Sequence, residues 1–179
     1  MSDQNNRLSF QYLGTIIALV ISCLALLVSV YEATILQSQQ KAMVWPYVKV
    51  SDSYSNEGFS VYATNNGVGP ALIQSLEVRY DGEPVANYDD LLDAMQPGRT
   101  FGYDVVYMTS LNGTVLKAGE KRLLFRFPIE ERTRGALDNV GKVDLTLQFD
   151  SVLGQSWVFS KADDTVQEGV FKASLEFRE

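Results

Sequence analysis

Residues 13–30 read LGTIIALVISCLALLVSV, 18 residues without a charge. Three readings compete for this run, and the choice decides where the rest of the chain lives. It is a membrane span, the apolar core of a cleaved signal peptide, or, through Val20-Ile21-Ser22-Cys23, a lipobox whose cysteine is acylated after cleavage. A helix rises about 1.5 Å per residue, so about 20 residues cross the hydrocarbon of a bilayer. Tyr12 and Tyr31 bracket the run, as aromatic rings do at membrane–water interfaces. A signal peptide needs a basic lead and a small-x-small cleavage site. Here the lead MSDQNNR sets Arg7 against Asp3, and the run ends in Ser29-Val30-Tyr31-Glu32-Ala33. A lipoprotein turns polar soon after its cysteine, whereas the apolar run continues past Cys23 to Val30. Length and flanks therefore favour an uncleaved single span, with Cys23 a small apolar residue facing lipid or another helix.

Working outward, residues 1–11 form a polar tail, 12–31 the transmembrane helix, 32–43 a helical stalk and 44–179 a β-rich domain. The stalk, EATILQSQQKAM, holds good helix formers and neither Gly nor Pro, and Pro46 ends it. Within the span, Gly14, Ala18, Ser22, Ala25, Ser29 and Ala33 recur at steps of three and four, which keeps them on one helix face. Small residues let helix backbones approach closely in lipid, so this face is the candidate for self-association or for docking a partner's span.

Beyond Pro46 the hydrophobic period changes to two. VDLTLQFD (143–150) and FKASLEFR (171–178) alternate strictly. LIQSLEVRY (72–80) places Leu72, Gln74, Leu76, Val78 and Tyr80 on one face, and KRLLFRF (121–127) places Leu123, Phe125 and Phe127 together against Arg122 and Arg126. Further strands are expected over 47–50, 59–64, 103–108 and 157–160, with hairpin turns at Asp81-Gly82 and Asn112-Gly113. Asn87 is positioned to cap a short helix that carries Leu91, Leu92 and Met95, and a second helix is expected near 130–137. The expected class is mainly β: a transmembrane helix, then an immunoglobulin-like antiparallel β-sandwich with one or two short helices.

The stretch NNGVGPALI (65–73), with WPYV (45–48), the AGE turn (118–120) and GQSW (154–157), resembles a loose group of small, uncharacterised bacterial membrane proteins. These have one N-terminal span, a WPYV-like opening and an N-x-G-x-G-P-A turn in a β-rich domain. The resemblance implies an architecture and a bacterial origin, and with the span the expected location is a bacterial inner membrane; the resemblance carries no activity and no site residues. Physically, Gly67 and Gly69 are expected to supply positive φ in a tight turn, and Pro70 to set the exit into the next strand.

Composition narrows the chemistry. The net charge is −7, nearly all of it beyond residue 43, which argues against nucleic-acid binding. The chain has no histidine, and its one cysteine is in the apolar run, so His-based triads and thiolate metal sites are out of reach. Asp81, Glu83, Asp89, Asp90 and Asp93 form an acidic cluster, the best candidate for calcium but without EF-hand order, and Asp163, Asp164 and Glu168 a looser one; a solvated loop with a charged helix start explains the first better, and a solvated turn the second. Tyr103 and Tyr107 share a strand face. No catalytic, cofactor or metal site is expected. The expected function is a non-catalytic interaction module, an accessory protein of a bacterial envelope complex with the lipid bilayer and a protein partner or a second copy as its contacts. The alternatives are a small-ligand or carboxylate-based enzymatic domain, and a toxin-like or stress-response protein acting through oligomerisation of its span. Positive charges flank the span almost evenly; the short tail before an uncleaved anchor favours a domain outside the cytoplasm.

The three readings of residues 13–30 separate by intact mass. The membrane-extracted protein is expected at the full 19.9 kDa. A shorter chain would establish a signal peptide, and one starting at an acylated Cys23 a lipoprotein.

Overall fold

Helical and two-residue periodicities meet near Pro46, and the backbone changes with them. A computed structural model describes residues 2–98 and 107–178. Helix α1 runs unbroken over Ser2–Met43, so the polar tail and the stalk are parts of the same helix as the apolar run. The stretch Tyr12–Met43 is long and apolar enough to cross a membrane, and none of its apolar window is buried inside the protein. Ser22 Oγ in the apolar run donates to Ala18 O (2.8 Å), and in the stalk Thr34 Oγ1 donates to Tyr31 O (2.7 Å) and Ser38 Oγ to Thr34 O (2.9 Å). Internal satisfaction of polar groups is what hydrocarbon demands of a spanning segment.

Residues 43–179 form a separate compact unit. Its described strands are β1 (Val48–Ser55), β2 (Gly58–Asn65), β3 (Ala71–Tyr80), β4 (Glu83–Val85), β5 (Tyr107–Met108), β6 (Val115–Leu116), β7 (Lys121–Phe127), β8 (Val143–Asp150), β9 (Ser156–Ser160) and β10 (Thr165–Glu168). Helix α2 (Tyr88–Met95) follows β4; α3 (Arg134–Asn139) and a short 3-10 turn precede β8. One antiparallel sheet has the order β1-β2-β7-β5. The other runs β10-β9-β8-β3-β4, with β6 also paired to β3. The sheets share one core: Val48, Val50, Phe59, Ala63, Phe125 and Phe127 from the first, and Ile73, Leu76, Val78, Leu145, Leu147, Phe149 and Phe159 from the second.

The mainly-β expectation holds, and the departures have local causes. The register of β3 against β8 shifts between Ile73 and Ser75, so Gln74 is a bulge. Ile73 is therefore buried, Gln74 exposed, and Leu76 and Val78 return to the core. A second shift, opposite Val61 and Tyr62, skips Leu124 in β7 and buries it beside Phe125, leaving Leu123 half-buried. The segment 171–178, expected as a strand, pairs as none; only Phe177 is buried there. Of the strand expected over 103–108, residues 103–106 lie outside the described residues, while Tyr107 and Met108 pair with Arg126 and Phe125. Asp81 and Gly82 both take positive φ (53° and 88°), the primed hairpin turn that Asp-Gly signals. Asn112-Gly113 is a turn (Thr114 N to Leu111 O, 3.1 Å) but no hairpin, because β6 beyond it pairs with β3. Asn87 caps α2, its side chain accepting from Asp90 N at 2.8 Å. The second helix starts later than expected, at Arg134, after Thr133 Oγ1 has taken up Glu130 N at 3.0 Å.

One buried polar side chain joins the two sheets. Asn65, at the end of β2, accepts from Tyr47 N (3.1 Å) and Gly67 N (3.0 Å) and donates to Gly69 O (2.8 Å) and Leu116 O (3.0 Å). All four bonding positions of its amide are thereby filled. Gly67 and Gly69 are needed for a reason other than the expected positive φ, which neither adopts. A Cβ on Gly67 would lie 2.4 Å from Tyr47 N, and one on Gly69 2.0 Å from Val44 O. The turn presses directly onto the backbone of residues 44–47, and Val68 N and Gly69 N both donate to Trp45 O.

Asn65→Ala strands four backbone groups in a site with no solvent exposure. At about 1–3 kcal/mol per unsatisfied group the expected loss is about 3 kcal/mol or more. Thermal unfolding of the full chain in detergent measures it; a loss below about 1 kcal/mol would remove Asn65 from this role.

Candidate interaction surface

Strand direction sorts the loops of the sandwich into two ends. Val48 pairs with Asn65, Ala71 with Leu116 and Asp150 with Ser156, so residues 44–47, 66–70, 112–120, 151–155 and 169–170 gather at one end. Tyr80 pairs with Val143, Phe59 with Phe127 and Ser160 with Thr165, so the loops 56–57, 81–82, 128–142 and 161–164 gather at the other.

The two ends differ in chemistry. The first exposes Trp45, Val68, Val115, Val152, Leu153 and Val170, at 43–78% of their full areas. Its loops contain only two charged residues, Lys117 and Glu120. Glu120 accepts from Lys117 N at 2.9 Å and pairs with Arg122 at 2.6 Å; these bonds hold its carboxyl below the usual range. The second end carries Glu57, Asp81, Glu130, Glu131, Asp138, Asp163 and Asp164 against Arg132, Arg134, Lys142 and Lys161.

The apolar tips are held out by their own turns. Ser151 is buried and accepts on Oγ from Leu153 N (3.2 Å) and Gln155 N (3.3 Å), which projects Val152 and Leu153. Val68 is fixed by the bond of its amide to Trp45 O at 3.0 Å. Trp45 rests on Tyr47 with ring centroids 5.4 Å apart. Sequence reasoning passed over Val68, Val152, Leu153 and Val170. The available signal was apolar residues beside Gly in turns, where polar residues are the rule.

On the outer face of β3, Glu77 is buried, on the side opposite Leu76 and Val78. Its carboxylate accepts from Arg79 Nε (2.6 Å), from the amide and the hydroxyl of Ser174, and from Leu175 N (3.4 Å). The segment 171–178 thus crosses β8 and β3 as a strap, starting where Phe171 N meets Gln148 Oε1 (2.9 Å). It ends where Phe177 N meets Leu76 O (2.8 Å) and Arg178 N meets Ala86 O (2.7 Å). The Phe177 ring packs edge-on to Tyr88 at 4.8 Å. Burial pushes the Glu77 carboxyl up, but the bonds from Arg79, Ser174 and Leu175 outweigh it and hold it below the usual carboxylate range.

The expected small-residue face is bare in the chain: Gly14, Ala18, Ser22, Ala25, Ser29 and Ala33 are all exposed. Of the acidic cluster, Asp81 is in the hairpin turn, Glu83 on β4, and Asp89 and Asp90 in the first turn of α2. Among the described residues no group of three or more His, Cys, Asp or Glu is arranged to hold a metal ion. Asp164 instead pairs with Lys49 at 2.8 Å. Tyr103 lies outside the described residues, so its shared face with Tyr107 is not described either. A groove of about 280 Å³ at the acidic end is lined by Asp52, Lys142, Asp144 and Lys161, with Lys161 paired to Asp52 at 2.9 Å.

Because Glu77 titrates below its ordinary value in the fold, the strap's contribution to stability is complete above that ordinary value. It is lost as pH falls through the lower, folded value. Hydrogen exchange corrected for its intrinsic pH dependence is expected to show residues 171–178 losing protection on acidification. Glu77→Gln should lower that protection already at neutral pH, and unchanged protection would show that the strap is held without Glu77, by the bonds of Phe171, Phe177 and Arg178.

Comparison with protein-family models, with curated proteins and with solved structures finds no match for this chain.

Proposed function

We propose that this protein is a membrane-anchored β-sandwich that works as a non-catalytic interaction module, an accessory subunit of a bacterial envelope complex with its domain outside the cytoplasm. The observation that carries the reading is the polarity of the sandwich: apolar loops with only Lys117 and Glu120 charged at the end where the chain arrives from α1, and most loop acids gathered at the opposite end. A domain free in solution gains nothing from exposing several apolar side chains at one end, whereas one built to be held against other surfaces does.

The strand order supports an immunoglobulin-like sandwich. β1-β2-β7-β5 follows the A-B-E-D order of that fold, and β9-β8-β3-β4 its G-F-C-C′ order. In this correspondence the loops at the apolar end are those after strands B and F and before strand E. Loops of this kind, on a rigid sandwich, are common seats of recognition. The sandwich departs from antibody domains in having no disulfide between its sheets, since Cys23 is the only cysteine.

The reading is tested by extracting the protein from its native membrane into lipid nanodiscs and weighing the intact particle. A second polypeptide in fixed ratio is the expected result. The chain alone overturns the accessory-subunit reading. A homo-oligomer that Ala18→Leu with Ala25→Leu dissolves would replace it with a protein that acts through its span. Orientation follows from a Cys23→Ala, Asn56→Cys variant: a membrane-impermeant maleimide is expected to label it before the inner membrane is opened.

A further inference from the structure

The apolar end of the sandwich lacks a partner within the described chain, and three observations bear on what covers it. The first is its place on the tether. Met43 is the last residue of α1 and the first of the sandwich unit, and Pro46 is already buried, so this end follows the helix by only a few residues. The 31 steps from Tyr12 to Met43 rise about 47 Å, against about 30 Å of hydrocarbon and about 40–45 Å with the headgroup layers. With Tyr12 at one interface, an upright helix carries Met43 about two turns beyond the opposite headgroups, and the tilt of about 20–40° that spans adopt brings it down towards them.

The second observation is charge. An acidic domain is repelled by anionic lipid. Here most acids of the connecting loops are at the opposite end, while the loops of the apolar end hold only Lys117 and the ion-paired Glu120, with Lys121 opening β7 and Asp150 and Glu168 closing β8 and β10 beside them. The third is side-chain type and spacing. Trp45, Val68, the adjacent pair Val152 and Leu153, and Val170 come from four loops, and Val115 from β6, so the exposed apolar side chains are short tips on separate segments. Short tips on separate segments, a tryptophan among them, suit a soft, laterally uniform surface, which asks for no shaped patch in return.

We propose that this end is a bilayer-docking surface, on which Val68, Val152, Leu153 and Val170 insert among the lipid headgroups and set the sandwich upright with its acidic end towards water. The inference rests on α1 being a membrane span. A single helix fixes where the domain is but leaves it free to swing, and several apolar tips held at the lipid surface remove that freedom. The acidic end is then presented at a constant height and attitude.

The test uses the full chain with Cys23→Ala, reconstituted into phosphatidylethanolamine–phosphatidylglycerol vesicles. Single cysteines at Val68, Val152 or Val170, and at Tyr54 or Ile129 on the acidic end, carry a nitroxide label. The oxygen-to-nickel collision ratio reports the depth of each label. The expected result is a high ratio, at headgroup depth or below, for the first three and an aqueous ratio for the last two. In Val152→Asp with Leu153→Asp, the label at Val68 is expected to return to water while the protein stays in the vesicles. Aqueous ratios at all five positions, with the protein still floating with the vesicles, overturn the docking and leave the span intact. Failure to float overturns the span and the docking together. Labels shielded from both relaxants, with broadening that unlabelled chain dilutes away, overturn the docking in favour of contact with a second copy.

Discussion

Asn65 is the point on which the sandwich turns. Its amide binds the backbone of the lead-in at Tyr47, of its own turn at Gly67 and Gly69, and of the far strand at Leu116. The chain leaves one sheet and enters the other within the five residues after it. Each backbone group at such a crossing is buried away from its own ladder and must find a partner, because an orphan costs as much as a lost hydrogen bond. One saturated amide supplies four of these partners. Gly67 and Gly69 then allow the turn to lie against residues 44–47 with no side chain between.

The same crossing sets the character of the apolar end. The lead-in and the turn are locked together, so Trp45 and Val68 are displayed on a rigid base. Ser151 does the corresponding work beneath Val152 and Leu153. Exposed apolar side chains on mobile loops collapse onto the nearest core. Held out by hydrogen-bonded turns they remain available, and little further entropy is lost when something covers them.

Much of the architecture was legible in the residues. The change of period at Pro46, the alternation of Val143, Leu145, Leu147 and Phe149, the Asp81-Gly82 turn and the Asn87 cap all depend on neighbours in sequence. Bulges do not. Gln74 and Leu124 each slip the register by one residue, which is decided by how two strands fit and not by either strand alone. The alternation of 171–178 was equally regular, yet the outer edge of β3 was already occupied at its two ends by β6 and β4. What remained was the space beside Leu76, and there the segment bonds through Phe177 while Glu77 holds it from the sheet's outer face. The acidic clusters were visible as charge but not as ion pairs: Lys49 with Asp164 joins residues 115 positions apart.

By itself the sequence determined an uncharged run long enough for a bilayer, a chain without histidine chemistry, and a remainder patterned for antiparallel sheets. These are properties of composition and short-range period, which exist before the chain folds. The tertiary structure decided which loops share an end. Trp45, Val68, Val115, Val152 and Val170 are spread over more than a hundred residues and become one surface only because antiparallel pairing returns the chain to the same end on every second crossing. It also decided that Glu77, an ordinary outward-facing residue of an alternating strand, is buried beneath the tail. The physical reason is common to both. A strand's face is set by its own alternation, but its surroundings are set by whichever distant segment finds an open hydrogen-bonding edge.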